Sequence, residues 1–242
     1  MEMSDDERRI KDAAIEFARV HKRERCKALT DPAIFLPESD PVCVFMAGSP
    51  GAGKTESSKE LISTMEAKTS PPCRVLRIDP DDLRSEFPDY NGTNSWLFQG
   101  AVSIWVGRML DLALEQNQSF LLDGTLSNFE QARQNVKRCL RRQRTVQILY
   151  VYQDPLLAWK FVQAREAQEG RHIPPEHFIK QYFAAREVVN ALKVEFGTNI
   201  ALDLLLKPND SSPKLYRAGI DKIDYHVPEK YDIPQLQRLL NE

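Results

Sequence analysis

The residues best equipped for chemistry lie in one run, Gly48-Ser49-Pro50-Gly51-Ala52-Gly53-Lys54-Thr55, which follows the apolar stretch VCVFMA and precedes a helical pattern. Glycines let a backbone wrap closely around an anion, so that successive amides and the N-terminus of the next helix point at phosphate oxygens. Lys54 adds positive charge for β- and γ-phosphates, and the Thr55 hydroxyl is an oxygen ligand of the kind Mg²⁺ prefers. The spacing GxxxxGK[ST], with strand before and helix after, predicts a triphosphate cradle with ATP and Mg²⁺ as expected cofactors. A turn that merely joined strand to helix would have no use for Lys54 and Thr55 together.

A second group is acidic. Arg77-Ile78-Asp79-Pro80-Asp81-Asp82-Leu83-Arg84 closes a short apolar run and delivers carboxylates to the C-terminal edge of a sheet, where open α/β folds bind ligands. A hydroxyl is a poor nucleophile until its proton is accepted, so a carboxylate here suits general-base work on an acceptor substrate. Asp79 and Asp81 are the candidates for contacting substrate; helix capping is the other use open to either. Phe120-Leu121-Leu122-Asp123-Gly124-Thr125 repeats the pattern. Asp123 is placed to hold a Mg²⁺ water and Thr125 to donate to phosphate or substrate, unless the pair only shapes the turn.

The third group is cationic. Arg165 lies on a helix that Gly170-Arg171-His172-Ile173-Pro174-Pro175 interrupts, a break expected of a lid near residues 165–175. Phosphoryl transfer leaves the protein mainly positioning and charge stabilisation to supply, so Arg165 and Arg171 are candidates to cover the transferred group. A solvated basic helix face is the alternative. Arg138, Arg141, Arg142 and Arg144 cluster at a helix C-terminus, where cations complement the dipole, and are read as solvated rather than as a nucleic-acid patch.

These groups need a scaffold, and the chain alternates short apolar runs with helical patterns, the sign of βαβ units. Strands are expected at Val42–Ala47, Val75–Ile78, Phe120–Leu122, Val146–Tyr152 and Ile200–Leu206, with a further one near Tyr216–Ile220. Helices are expected at Gly53–Ala67, Ser95–Gln116, Asn128–Arg141, Pro155–Glu169, Pro175–Phe196 and near Gln235–Leu240. A capping box at Ser127 and Glu130, and Asp154 before Pro155, mark two of the starts. The order predicts a three-layer α/β/α fold with a mostly parallel sheet. Ahead of it, Ser4 and Glu7 form a capping box before the stripe Ile10, Ala14 and Phe17, and three prolines follow. Residues 1–38 therefore read as an amphipathic helix and linker, and residues 39–242 as the main domain.

Composition sets bounds. With 33 basic and 35 acidic residues the net charge is -2, which gives no global field to attract nucleic acid or an anionic membrane. No leader pattern opens the chain and no apolar run reaches the length of a bilayer span, so the cytoplasm is the expected compartment. The four cysteines, Cys26, Cys43, Cys73 and Cys139, lack metal-ligand spacing and read as reduced thiols in or near the core, a disulfide being the alternative.

Taken together, AGSPGAGKT, RIDPDDLR, FLLDGTL and the pair Arg165 and Arg171 resemble the zeta toxin family, bacterial P-loop kinases of toxin–antitoxin systems, over roughly Val42 to Arg186. The resemblance implies that Lys54 and Thr55 serve ATP and Mg²⁺, that Asp81 is the catalytic base, and that Arg165 and Arg171 stabilise charge. It further implies transfer of the γ-phosphate to the 3'-hydroxyl of the aminosugar in UDP-N-acetylglucosamine. The sequence departs from the family where an acidic residue of the helix before DGT falls on Gly107 and a substrate-contacting threonine falls near Asn135. Related UDP-sugars, other small metabolites and nucleic-acid 5'-hydroxyls therefore stay open as acceptors, as does an ATP-gated binding module without chemistry. Family toxins are silenced by antitoxin helices, so the N-terminal helix reads either as a built-in inhibitor or as a brace on the kinase core.

Overall fold

The computed structural model describes residues 3–67, 73–170, 172–209, 213–227 and 229–241. Five short apolar runs form parallel strands: β1 (Val42–Ala47), β2 (Leu76–Ile78), β3 (Phe120–Leu122), β4 (Thr145–Tyr152) and β5 (Ala201–Leu206). β6 (Leu215–Arg217) adds antiparallel to β5, and the order across the sheet is β2-β3-β1-β4-β5-β6. The helices are α1 (Asp5–Leu29), α2 (Lys54–Glu66), α3 (Pro80–Arg84), α4 (Gln99–Glu115), α5 (Phe129–Arg141), α6 (Pro155–Glu169), α7 (Pro175–Phe196) and α8 (Ile233–Asn241).

Successive residues of a strand point to opposite faces, and both faces are covered here. From β1, Cys43, Phe45 and Ala47 enter one core with Phe120, Ile148 and residues of α4 and α7. Val44 and Met46 enter the other with Leu121, Leu149 and Val151, against Leu61, Ile62 and Met65 of α2. The result is the expected three-layer α/β/α arrangement. A satellite core joins α6, α7 and α8 through Trp159, Val162, Phe178, Tyr182 and Leu236.

Ser95–Glu115 is long and apolar enough, by composition alone, to cross a bilayer. That corrects the reading of no such run, and the reason is burial within the protein: α4 is covered by the core on one side and by α1 on the other. Ala14 and Ala18 of α1 pack into this core, the Trp105 indole donates to the Ala18 carbonyl at 3.0 Å, and the Cys26 thiol reaches the Trp105 carbonyl at 3.6 Å. Phe17, Phe87 and Trp105 stack beside them. α1 starts at the expected capping box, Ser4 with Glu7.

Two local expectations fail for physical reasons. α5 is capped by Asn128, whose side chain accepts from the Gln131 amide at 3.0 Å, while Ser127 instead meets Thr125 hydroxyl to hydroxyl at 3.0 Å. Arg144 is buried rather than solvated: it donates to the carbonyls of Ala113 and Leu114 in the last turn of α4 and of Gln118 just past it. Arg138 pairs with Asp111 of α4. Cys26, Cys43 and Cys139 are buried free thiols, and Cys73 is a partly buried one.

Candidate active site

The chain goes from β1 to β2, returns to place β3 between them and then adds β4 on the other side of β1, so a crevice opens beyond the C-terminal ends of β1 and β3. A cleft of about 1080 Å³ occupies it. The phosphate-loop residues Pro50 to Thr55 line one end, and side chains of α3, α4, α5 and α6 and of the turn after β3 form most of the rest.

The loop from Gly48 to Gly53 is held by its neighbours. Gly48 has φ +133°, and a Cβ there would stand 2.3 Å from the Val151 carbonyl oxygen; its amide donates to the Thr125 carbonyl at 3.2 Å. Gly51, at φ +72°, lies so close to α6 that a Cβ would meet the Ala158 carbonyl at 2.1 Å. Larger residues would therefore push β4 and α6 away from the loop. Lys54 folds its ammonium over the loop, donating to the carbonyls of Gly48 at 3.0 Å and Ser49 at 2.7 Å. Thr55 opens α2 beside it and lines the cleft.

One of the two expected uses of the acids, helix capping, falls to Asp79. Asp79 is the N-cap of α3: its Oδ1 accepts from the Asp81 amide at 2.8 Å, and its Oδ2 pairs with Arg77. Burial first, then the neighbouring Asp81 carboxylate, push Asp79 up to about 6, against the pull of the Asp81 amide and Arg77. Asp81 sits in the first turn of α3 and lines the cleft between two cations. Arg84, buried and bonded to Gln99 at 3.1 Å, pairs with it from one side. Arg165 of α6 reaches it at 3.6 Å from the other. The structure thus brings Lys54, Asp81 and Arg165 into one cleft. Arg171 lies outside the described residues.

Asp123 is 5% exposed, and its Oδ2 meets Ser58 at 2.8 Å and Arg77 at 2.7 Å. Thr125 and Asp123 both line the cleft. A Mg²⁺ site fits this donor set, with oxygen ligands only: the Thr55 hydroxyl directly and Asp123 through water. Among the described residues no cluster of three His, Cys, Asp or Glu side chains is arranged to hold a metal by itself.

The far wall mixes apolar residues, among them Val102 and Val106 of α4 and Ala132 of α5, with the neutral polar groups of Gln99, Ser103, Asn128, Gln131 and Asn135. Arg138 donates to the Asn135 amide oxygen at 3.3 Å. A Cβ on Gly107 would meet nothing within 4 Å. Among the described residues none of α1 lines the cleft; α1 packs against α4.

Sequence reasoning missed three members of the site. Arg77 and Ser58 tie the strand-end acids together, and Lys207, just past β5, donates to the Gly53 carbonyl at 2.8 Å. Burial lowers the pKa of Lys207. Arg77 stood inside the motif as an ordinary strand residue; Lys207, ahead of a proline in a polar turn, carried no signal.

The model of the zeta toxin family matches residues 27–221. Among solved structures, a chain from the PezAT chromosomal toxin–antitoxin system of Streptococcus pneumoniae aligns with TM-score 0.60 at 13% identity, over 99% of this chain and 94% of that one. A chain of the AvrRxo1-ORF1:ORF2 complex with ATP aligns with TM-score 0.63 at 16% identity, over 82% of this chain and 65% of that one. The Pnkp1/Rnl/Hen1 RNA repair complex contains a chain that aligns with TM-score 0.51 at 15% identity, over 82% of this chain and 55% of that one. At these identities the structural likenesses establish the fold. None of the curated proteins compared with the chain matches it.

Proposed function

This chain belongs to the zeta toxin family of P-loop kinases, and from that premise we propose that it transfers the γ-phosphate of Mg-ATP to a hydroxyl of a nucleotide sugar. The first candidate is the 3'-hydroxyl of UDP-N-acetylglucosamine. The observation that carries the reading is the 3.6 Å pair of Asp81 and Arg165, a base and a cation brought together in the cleft that the phosphate loop opens onto.

In this reading Lys54 and the loop amides hold the triphosphate, and Thr55 and Asp123 hold Mg²⁺, which when bound neutralises charge on the β- and γ-phosphates. Asp81 accepts the proton of the acceptor hydroxyl. The freed oxygen forms a bond to the γ-phosphorus while the bond from that phosphorus to the β–γ bridging oxygen breaks, and ADP leaves. Arg165 moves onto the oxygens of the transferred group, where charge spreads in the transition state, and the family resemblance gives Arg171 the same role.

A sugar acceptor is supported by the amides and hydroxyl of Gln99, Ser103, Asn128, Gln131 and Asn135, groups that both donate and accept as a ring of hydroxyls requires. A protein antitoxin belongs to the same proposal, supported by the toxin–antitoxin system in which the PezAT chain was characterised.

The test is mass spectrometry of a bacterial metabolite pool incubated with the full chain and Mg-ATP. The expected result is one phosphoryl group gained by a UDP-sugar with equimolar ADP. Phosphorylation of oligonucleotide ends or of an unrelated alcohol would replace the acceptor, and ATP binding with no ADP formed by any acceptor would leave an ATP-gated binding module.

A further inference from the structure

Asp79 and Asp123 leave neighbouring parallel strands at the same level, directly after the register pair Ile78 and Leu122. Both are buried, at 8% and 5% exposure. Two carboxylates so placed repel each other strongly in a low-dielectric setting, and without a counter-charge the strand ends would part or one acid would take a proton.

Arg77 supplies the counter-charge from within β2. Its Nη2 donates to Asp79 and, at 2.7 Å, to Asp123; its Nη1 donates to Asp82 at 2.7 Å; its Nε donates to the Ser58 hydroxyl at 3.2 Å. The Ser58 oxygen stands 2.8 Å from Asp123 and 2.9 Å from the Thr55 carbonyl, and its single proton goes to one of them. Asp79, held on one oxygen by Arg77, grips the Asp81 amide with the other at 2.8 Å. A continuous path therefore runs from the helix that carries Lys54 and Thr55, through Ser58 and Arg77, to the turn that carries Asp81.

We propose that Arg77 is a positioning residue for phosphoryl transfer: its guanidinium fixes the turn bearing Asp81 against the phosphate-loop helix and keeps Asp79 and Asp123 tied to each other. This rests on the kinase reading above. Arg77 touches neither the triphosphate nor the acceptor in that reading, so its removal acts on geometry and not on nucleotide contacts. Lysine is a poor substitute, because one ammonium cannot span the four partners that a planar fork reaches.

The test uses the full chain with Arg77→Ala, Arg77→Lys and Ser58→Ala. The first readout needs no acceptor: hydrogen exchange followed by mass spectrometry should speed up about tenfold over residues 76–87 in Arg77→Ala. Mg-ADP affinity should stay within about threefold. Millimolar guanidinium should restore slow exchange, a rescue that general loosening would not show. The second readout is turnover with the acceptor found by the metabolite screen, where kcat should fall about thirtyfold with KM for ATP little changed. Arg77→Lys should fall between, and Ser58→Ala should lose about threefold. Unchanged exchange in Arg77→Ala, loss of Mg-ADP binding in step with the loosening, or fast exchange through the whole chain in both alanine variants would overturn the proposal. Failure of the kinase reading looks different: the wild type forms no ADP with any acceptor, while Arg77→Ala still loosens residues 76–87 and is rescued by guanidinium.

Discussion

The brace formed by α1 and α4 and the edge where β2 and β3 deliver their acids solve opposite problems with the same physics. In the brace, Trp105, Phe17, Phe87, Ala14 and Ala18 exclude water, and polar atoms are spent on one another, as in the bond from the Trp105 indole to Ala18. Burial pushes the one thiol there, Cys26, up to about 11 and so keeps it neutral and unreactive. At the strand edge, burial falls on carboxylates instead, and Arg77, Arg84 and Arg165 stand against them. Packing holds the first region together and cross-tied charge the second. Under the proposed kinase reading, losing a single charge at the strand edge should affect chemistry more than losing an apolar contact in the brace.

The largest expected effect breaks the comparison at its reactive end. Asp81→Asn keeps shape and removes the proton acceptor, so phosphoryl transfer should fall about 10²- to 10⁴-fold, with ATP binding measured by calorimetry retained. Turnover at the wild-type rate would remove Asp81 from the role of base. At the packed end, Trp105→Ala should cost about 3–5 kcal/mol of folding stability, read as a lower denaturation midpoint. That is comparable in free energy to the loss at Asp81, since a tenfold rate change is about 1.4 kcal/mol. The folded fraction should nevertheless keep its KM for ATP. A Trp105→Ala protein of normal stability but impaired nucleotide binding would erase the distinction between the two regions.

Arg165→Ala tests the cation that the structure brings to Asp81. It should lower kcat by about a hundredfold, at the low end of the range expected for loss of the base, because Arg84 remains on Asp81. A change confined to KM would make Arg165 a binding residue instead.

The sequence was most legible where a residue's neighbours along the chain decide its role. Val42 to Ala47, being apolar throughout, had to be a strand covered on both faces, and the glycines after it had to turn tightly at α2. The same local logic found α1 through Ser4 and Glu7, and α6 through Asp154 and Pro155. It failed where a side chain's partner comes from another strand or helix. Arg144 reads as one of several cations at a helix end until α4 and the turn after it bring it three carbonyls. Arg77 reads as a strand residue until β3 and α2 bring it Asp123 and Ser58. Asp79 and Asp81 were indistinguishable as cap or base because α3, only Pro80–Arg84, is too short to show a period.

The smallest effect sharpens the comparison through pH. Asp79 titrates near 6 in the folded chain, against 3.8 as its ordinary value, because burial and Asp81 disfavour its charge. A raised acid means that the folded state binds the proton more tightly than the unfolded state. Asp79 therefore contributes most to stability below pH 3.8, and that contribution declines as pH rises towards 6 and is gone above it. Asp79→Asn keeps a good cap but cannot titrate, so the difference in unfolding free energy between wild type and variant should slope across this window, by about 1.4 kcal/mol per pH unit at most. Chemical denaturation at several pH values measures it. A difference that is flat from pH 3.8 to 6, or that grows in favour of the wild type as pH rises, would mean that Arg77 outweighs burial at Asp79. The strand edge would then be governed by ion pairing alone, without the opposing desolvation that separates it from the brace.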